Sequence, residues 1–370
     1  MKKFLIFLTI IFSAFFSVRQ AKAQSVNGAN VISTAVPFLT IAPDSRGAAL
    51  GETGASTSPD AYSQFWNPAK YAFIDGKMGL SLSYSPWMRS VIDDMNLSYL
   101  TYFARISDRQ TFSTAVRYFS YGSMTYYNTE GLVQSYLNPY EFSWDVAYAT
   151  KLTREISASI AFRYIRSDMA SGDFESVSVS PANAVATDVA FYYRRVNRNG
   201  YLQNTYNIGL VLQNIGTPIS YDDGVTQNYL PANFRLGGGF EMALDRYNQL
   251  KFSLDFNKLM TPTDNGTDYG VMDAIFRSFS DAPGGFNEEL QEFTTSVGAE
   301  YLYDEKFALR AGFFNENENK GGRSHLTFGA GVRIYAFTFD MSYLYSLSTV
   351  SPLANTMRIS VAFDFSEWFN

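Results

Sequence analysis

The segment that most restricts the fold is the last one, Thr356–Phe365, where Met357, Ile359, Val361, Phe363 and Phe365 alternate with Arg358, Ser360, Ala362 and Asp364. A period of two marks a β-strand. One face is apolar and the other carries charge, as a strand needs when lipid lies on one side and water or a polar filling on the other. The pattern recurs. Phe337, Phe339, Met341, Tyr343 and Tyr345 oppose Asp340; Phe252, Leu254 and Phe256 oppose Asp255; Ile156, Ala158, Ile160, Phe162 and Tyr164 oppose Arg163; Phe142, Trp144, Val146 and Tyr148 oppose Asp145. In these segments charge falls on one side only. A soluble sandwich also alternates, so strand length and aromatic load decide between the two.

Both point to a membrane barrel. The coarse reading gives fourteen strands, near residues 77–85, 94–106, 110–120, 140–152, 155–167, 184–196, 203–214, 232–244, 248–259, 292–303, 305–313, 324–335, 336–347 and 355–365. At ~3.3 Å per residue and a tilt near ~40°, strands of this length span roughly 25–30 Å, the height of an apolar band. Aromatic residues make up 17% of the chain, with 26 Tyr and 32 Phe, and such residues form the girdles of barrels at both interfaces. Mean hydropathy is only −0.12 because half of each strand faces inward. Short connections alternate with long ones (121–139, 167–183, 215–231, 260–291 and 314–323), so the short ones read as periplasmic turns, the long ones as extracellular loops, and both termini as periplasmic. The fold class expected is all-β, a 14-stranded antiparallel transmembrane barrel with an N-terminal helical hatch.

Residues 1–23 read as a secretory signal: Lys2 and Lys3, an apolar run from Phe4 to Val18, then Ala21-Lys22-Ala23. No later apolar run is long enough for a transmembrane helix. Cysteine is absent, so the exported chain relies on packing and ladder hydrogen bonds. A net charge of −6 with no basic cluster argues against nucleic acid as a partner. The division expected is 1–23 signal, 24–76 hatch and 77–370 barrel. Ser58 before Pro59 and Asn67 before Pro68 each pair an N-cap with proline at the first helical position, which predicts two short helices within the hatch.

The hatch segment carries a specific resemblance. The run from Pro37 to Phe73, with Asp44-Ser45-Arg46-Gly47, Gly51-Glu52-Thr53-Gly54, Asp60-Ala61 and Trp66-Asn67-Pro68-Ala69, resembles the start of the FadL-like barrels of Bacteroidetes. Leu80 to Arg89, through Pro86-Trp87, and Asp94 to Leu100 are similar to the PorV family of the type IX secretion system, also called LptO. That resemblance implies an outer-membrane shuttle rather than a pore. It would bind the C-terminal domain of secreted cargo at an SprA-like translocon barrel and deliver it to the attachment complex containing PorU and PorZ. A FadL-type channel for small hydrophobic molecules is the alternative, and outer-membrane lipid surrounds the barrel in either case.

Several residues admit a sharper reading. Arg117, Arg163, Arg235, Arg310, Arg333 and Arg358, with Asp145, Asp188, Asp255, Asp340 and Asp364, face inward and are expected to pair with one another and with the hatch. His325 is the single histidine; with no Gly-x-Ser-x-Gly elbow it reads as a rim residue, and no catalytic residue or cofactor is expected. Asp264, Asn265, Asp268 and Asp273 miss the spacing of a calcium loop, so no metal site is expected. Pro86 and Trp87 are candidates for partner docking or for the aromatic girdle. Gly237-Gly238-Gly239 is expected to bulge or kink its strand.

Overall fold

Backbone N–H and C=O groups at membrane depth have no water to bond, so a β chain crossing a bilayer must close its sheet on itself. In the computed structural model the chain does so. The structure describes residues 32–88, 92, 94–127, 131–169, 172–174, 177–199, 202–222, 226–262, 270–348 and 355–368; the expected signal at 1–23 lies outside them. Fourteen antiparallel strands form a closed barrel. They are β1 Met78–Pro86, β2 Asn96–Ser107, β3 Gln110–Ser120, β4 Tyr140–Lys151, β5 Ile156–Asp168, β6 Ala182–Asn199, β7 Leu202–Gly216, β8 Asn233–Ala243, β9 Asn248–Leu259, β10 Thr294–Tyr303, β11 Phe307–Asn315, β12 Ser324–Ile334, β13 Phe337–Ser346 and β14 Met357–Asp364. Each pairs with its neighbours in sequence, and β1 meets β14 through Gly79↔Asp364, Leu82↔Val361 and Tyr84↔Ile359.

The wall is apolar outside and polar inside. On β1, Leu82 is 54% exposed and Ser83 beside it 1%; on β5, Phe162 is 58% exposed and Arg163 3%. Buried inward positions are often small and hydroxylated, among them Ser81, Ser83, Thr101, Ser113, Ser143, Ser253, Ser296 and Ser360. Short side chains leave the lumen open to a filling, and the preceding segment supplies it. Helices α1 Ser45–Ala49 and α2 Ser63–Trp66, with 3-10 turns at Pro37–Thr40 and Pro68–Phe73, bond to the inward faces of strands around the ring, from Thr111 on β3 to Ser360 on β14.

Connections are short at one end and long at the other. The turn between β10 and β11 places Asp304 and Glu305 both at φ 53, the left-handed geometry that suits a tight hairpin. At the other end two loops carry two-stranded ribbons, Met124–Tyr127 with Val133–Leu137 and Gly172–Phe174 with Val177–Val179. The loop after β9 carries helices α3 Val271–Arg277 and α4 Phe286–Gln291.

Two local expectations are corrected. The three glycines of β8 make neither a bulge nor a kink in pairing: the register is unbroken from Asn233 to Met242 against β7 and to Ala243 against β9. Two of them, Gly237 and Gly239, are small because the filling touches them, while a Cβ on Gly238 would meet open space. A Cβ on Gly237 would lie 2.2 Å from an Asp255 carboxylate oxygen and 2.9 Å from Ala55 Cβ. The register shifts instead between Arg105 and Ser107 on β2 and between Thr187 and Val189 on β6, where Asn214 of β7 takes φ 58. The Ser58-Pro59 pair starts no helix either: the Ser58 hydroxyl accepts from Arg46, while Asp60 receives the Tyr62 N–H ahead of α2.

Because lipid faces the exposed side of each strand, a charge placed there should be costly. Leu254→Arg, at an outward position of β9, is expected to lower unfolding stability in phospholipid by about 2–4 kcal/mol. Equilibrium urea unfolding of the reconstituted barrel checks this, and an unchanged midpoint would contradict the outward assignment.

Candidate functional site

The filling is held by a few residues with many partners. Asp44 caps α1, its carboxylate accepting from Gly47 N at 2.8 Å and from Trp66 Nε1 at 2.6 Å. The indole lies in a slot that only glycine permits: a Cβ on Gly47 or Gly54 would fall 2.3 or 2.2 Å from its ring atoms. Gly51, at φ +68, lies against the Phe313 backbone of β11. Asn67 donates to Ala55 O at 2.9 Å and Phe191 O at 3.0 Å, and its Oδ1 caps the turn at Ala69 N, behind Pro68. Thus Asp44, Arg46, Gly47, Gly51, Gly54, Trp66, Asn67, Pro68 and Ala69 form one assembly.

Arg46 ties that assembly to the wall. Its guanidinium reaches Asp60 at 2.5 Å and both oxygens of Glu300 at 3.1 Å; Glu300 bonds Arg310 at 2.6 Å, and Arg310 bonds Asp340 at 2.6 Å. Charges alternate along this chain, which compensates each buried group. Asp255 of β9 accepts from Gly54 N and Ala55 N at 2.7 and 2.9 Å. Ser45 N donates to Ser360 Oγ on β14 at 2.9 Å, and that hydroxyl bonds Ser83 Oγ on β1 at 2.7 Å. Beside Arg46 a cavity of about 10 Å³ lined by Leu50, Glu241, Lys251 and Glu300 has room for about one water.

The expected pairing of inward charges holds for Arg163, which bonds Asp145 at 2.6 Å and Asp188 at 2.8 Å, and for Arg310. It holds for Arg117 too, 3.6 Å from Asp145, donating to Leu39 O of the filling and lying 5.2 Å over Phe65, while Arg235 lies 4.8 Å over Trp66 and Arg358 5.4 Å over Trp87, a favourable arrangement when desolvated. Arg333 is exposed beyond the band, and Asp364 is half-buried at the seam. Glu300 escapes the sequence reading, although its position two residues past Gly298 and four past Ser296 gives it inward parity.

His325, second residue of β12 at its long-loop end, faces inward and is buried rather than open. It is 3% exposed, stacks 4.8 Å from Phe314, and sets Nε2 3.5 Å from Glu52 of the filling. Trp87 is likewise interior. It is 8% exposed and packs in a cluster with Phe38, Leu39, Met95, Leu97 and Phe119 under the long loops, with Pro86 half-buried beside it. The indole is therefore neither a lipid-facing girdle residue nor an open contact.

Some strand charges break the rule that charge points inward, two of them informative. Lys258 of β9 and Arg166 of β5 share the outward parity of Phe256 and Tyr164. Lys258 is nevertheless fully buried, because α4 covers it: its ammonium lies 2.9 Å from Glu289 and also bonds Glu292. Lys320 joins the cluster at 2.6 Å from Glu288 and 3.0 Å from Glu292. Burial pulls the Lys320 ammonium down, and the hydrogen bonds to those two carboxylates more than reverse it, holding it above the ordinary lysine value. Asp281, Glu289 and Glu292 bring oxygens within 4.8 Å of one another, but the two lysines supply the positive charge there. Asp264, Asn265 and Asp268 lie outside the described residues; Asp273 pairs with Arg277 at 2.8 Å.

The long-loop rim is apolar where it stands clear of the barrel. Tyr127 is 56% and Tyr136 75% exposed on the first ribbon, beside exposed Leu132 and Val133.

A family model described as type IX secretion system protein PorV matches residues 23–266. Comparison with curated proteins gives no match. Among solved structures, the TodX ΔS2S3 mutant monoaromatic hydrocarbon channel is 12% identical with a TM-score of 0.50, over 86% of this chain and 98% of its own. The Ralstonia pickettii toluene transporter TbuX is 11% identical, TM-score 0.45, over 86% and 96%. A Pseudomonas aeruginosa FadL homologue is 11% identical, TM-score 0.44, over 91% and 100%. At these identities the likeness concerns the barrel fold alone.

Removing the central cation should loosen the filling. Arg46→Ala leaves Glu300 and Asp60 without their shared partner, a loss expected to cost about 3–5 kcal/mol. Thermal unfolding should show the loss and planar-bilayer recording a new ion conductance. Wild-type stability with a silent bilayer would show that the network does not hold the lumen closed.

Proposed function

The chain belongs to the family of type IX secretion system protein PorV, and from that premise we propose that it is the cargo-binding shuttle of the system. As an outer-membrane secretion component it would take up the C-terminal domain of secreted proteins at an SprA-like translocon barrel. It would then carry them to the attachment complex containing PorU and PorZ. In this reading residues 24–76 are a hatch that stays in place, the long-loop end faces the cell exterior, and both termini lie in the periplasm.

One observation carries the proposal: the lumen is filled while the rim is sticky. A conduit needs a path, and here the filling bonds the inward faces of strands around the ring, with a cavity of about 10 Å³ beside Arg46. A docking platform needs exposed anchors, and Tyr127 and Tyr136 are large, rigid side chains of the kind that dominate protein interfaces. The ribbon bearing them pairs its two strands only with each other. It can therefore take on an added strand from a partner. The channel alternative would instead need an apolar pocket of ligand size beside the hatch, whereas the small cavity there is bounded by Arg46, Glu241, Lys251 and Glu300 together with Leu50, Phe240 and Phe252.

Tyr127→Ala with Tyr136→Ala is expected to weaken capture of a cargo C-terminal domain by roughly 30-fold or more, a typical loss for two interface anchors. Capture of the translocon barrel and heat-modifiable migration of the folded protein should be unchanged. Undiminished cargo capture would remove the rim from the mechanism, and cargo-independent uptake of a hydrocarbon by the wild type would favour the channel.

A further inference from the structure

The loop after β9 does not reach across the mouth of the barrel. It turns down over the outside. Ile275, 8% exposed, and Val271 of α3 pack on Leu212, Ile215 and Phe234, Leu212 and Phe234 at outward positions of β7 and β8 and Ile215 opposite Thr187 beyond the register shift, and the buried Lys258–Glu289 pair holds α4 to the same wall. Between α3 and the neighbouring strands this leaves a groove of about 570 Å³, lined by Trp144, Phe162, Tyr164, Val185 and Thr187 on the wall and by Val271 on the helix.

The groove sits where the wall is irregular. The register between β6 and β7 shifts after Thr187, and Asn214 takes φ 58, so the outer surface has a step. The groove is not a portal. Its floor is closed by Arg163, which bonds Asp145, Asp188 and Asn214 together across β4 to β7. A Cβ on Gly216 would fall 2.2 Å from Val185 O, so the main chains at the step are already in contact. The lining is apolar and continuous with the lipid-facing belt, which leaves water without partners there.

Directly above it, toward the long-loop end, lies the outward arginine. The pairs run Trp144↔Tyr164, Val185↔Tyr164, then Phe142↔Arg166 and Asn183↔Arg166, so Arg166 is one step beyond the groove on the same face. Its guanidinium is positioned by neutral groups, donating to Tyr140 Oη at 3.2 Å and Asn183 Oδ1 at 3.5 Å, while Tyr164 Oη donates to Asn183 at 2.6 Å. An apolar slot the size of a small-ligand pocket, topped by an oriented guanidinium at the membrane boundary, has the two halves of a lipid site.

We propose that this groove seats one acyl chain of a phosphate-bearing lipid from the leaflet at the long-loop end, with the phosphate on Arg166. The occupant follows from continuity with the lipid-facing wall and from the match of guanidinium to phosphate. Helix α3 forms one bank, so the loop and the lipid support each other. The lipid is a structural ligand, distinct from cargo.

The test uses the full-length protein purified in detergent, titrated with phosphatidylglycerol or with diacylglycerol of the same chains, and followed by native mass spectrometry. Wild type should bind about one phosphatidylglycerol above the non-specific background. Val185→Trp, which fills the slot, should weaken binding of both lipids about tenfold or more. Arg166→Gln should weaken phosphatidylglycerol about tenfold and leave diacylglycerol unchanged. Met341→Trp, outward on β13, is the control for folding and for annular lipid. Equal loss in Val185→Trp and Met341→Trp, or no loss in either, would overturn the proposal. So would retention only of a free hydrocarbon, or displacement of the lipid by a co-purified protein at this face.

Discussion

The constraint on which the rest depends is that the bilayer offers the backbone no hydrogen-bond partner. Closure of β1 on β14 follows from it, and closure creates an interior that must then be dealt with. Here the interior is built for occupancy rather than passage. Serine and threonine line the strands, glycines appear where the filling crosses close to the wall, and buried charges such as Glu300 and Asp255 are placed where a backbone N–H or a guanidinium of the filling meets them. The lumen is thus a protein core turned inside out, polar in chemistry and closely filled.

That construction explains why the same barrel class can serve different ends. Function depends on what the lumen and the rim present, and the fold itself does not decide it. In this chain the Arg46–Glu300–Arg310–Asp340 chain commits interior charge to holding the filling. The apolar surface left over lies on the loops and on the outer wall. A family tied to protein secretion is consistent with that distribution.

Much of the barrel was legible because strand parity is a local property. Fourteen strands, their lengths and the inward side of Arg163, Asp145 and Asp188 follow from a period of two. Partners across the lumen are not local: Arg46 and Glu300 are 254 residues apart in sequence. Parity shows that Arg235 points inward but does not show that Trp66 waits there. The girdle reading of Trp87 failed because it follows the end of β1, where parity no longer sets direction and the 3-10 turn at Phe38 draws it inside. The glycines of β8 looked like a kink because a missing side chain has two explanations, a bend or a close neighbour. Lys258 was the readable clue that went unused. A charge on the apolar side of a strand announces that something covers it.

Ser45 bonds Ser360, and Ser360 in turn bonds Ser83, a link that bears on how the molecule is put together. Those two strand serines lie on β14 and β1, the last edges to meet, and the chain must be complete before they can. The filling therefore touches the seam that synthesis leaves until the end. Near the same seam the Lys77 N–H bonds Ser366, and the short leash into β1 runs beside Asp364. A filling bonded at this gap ties its two margins together through a single hydroxyl, that of Ser360.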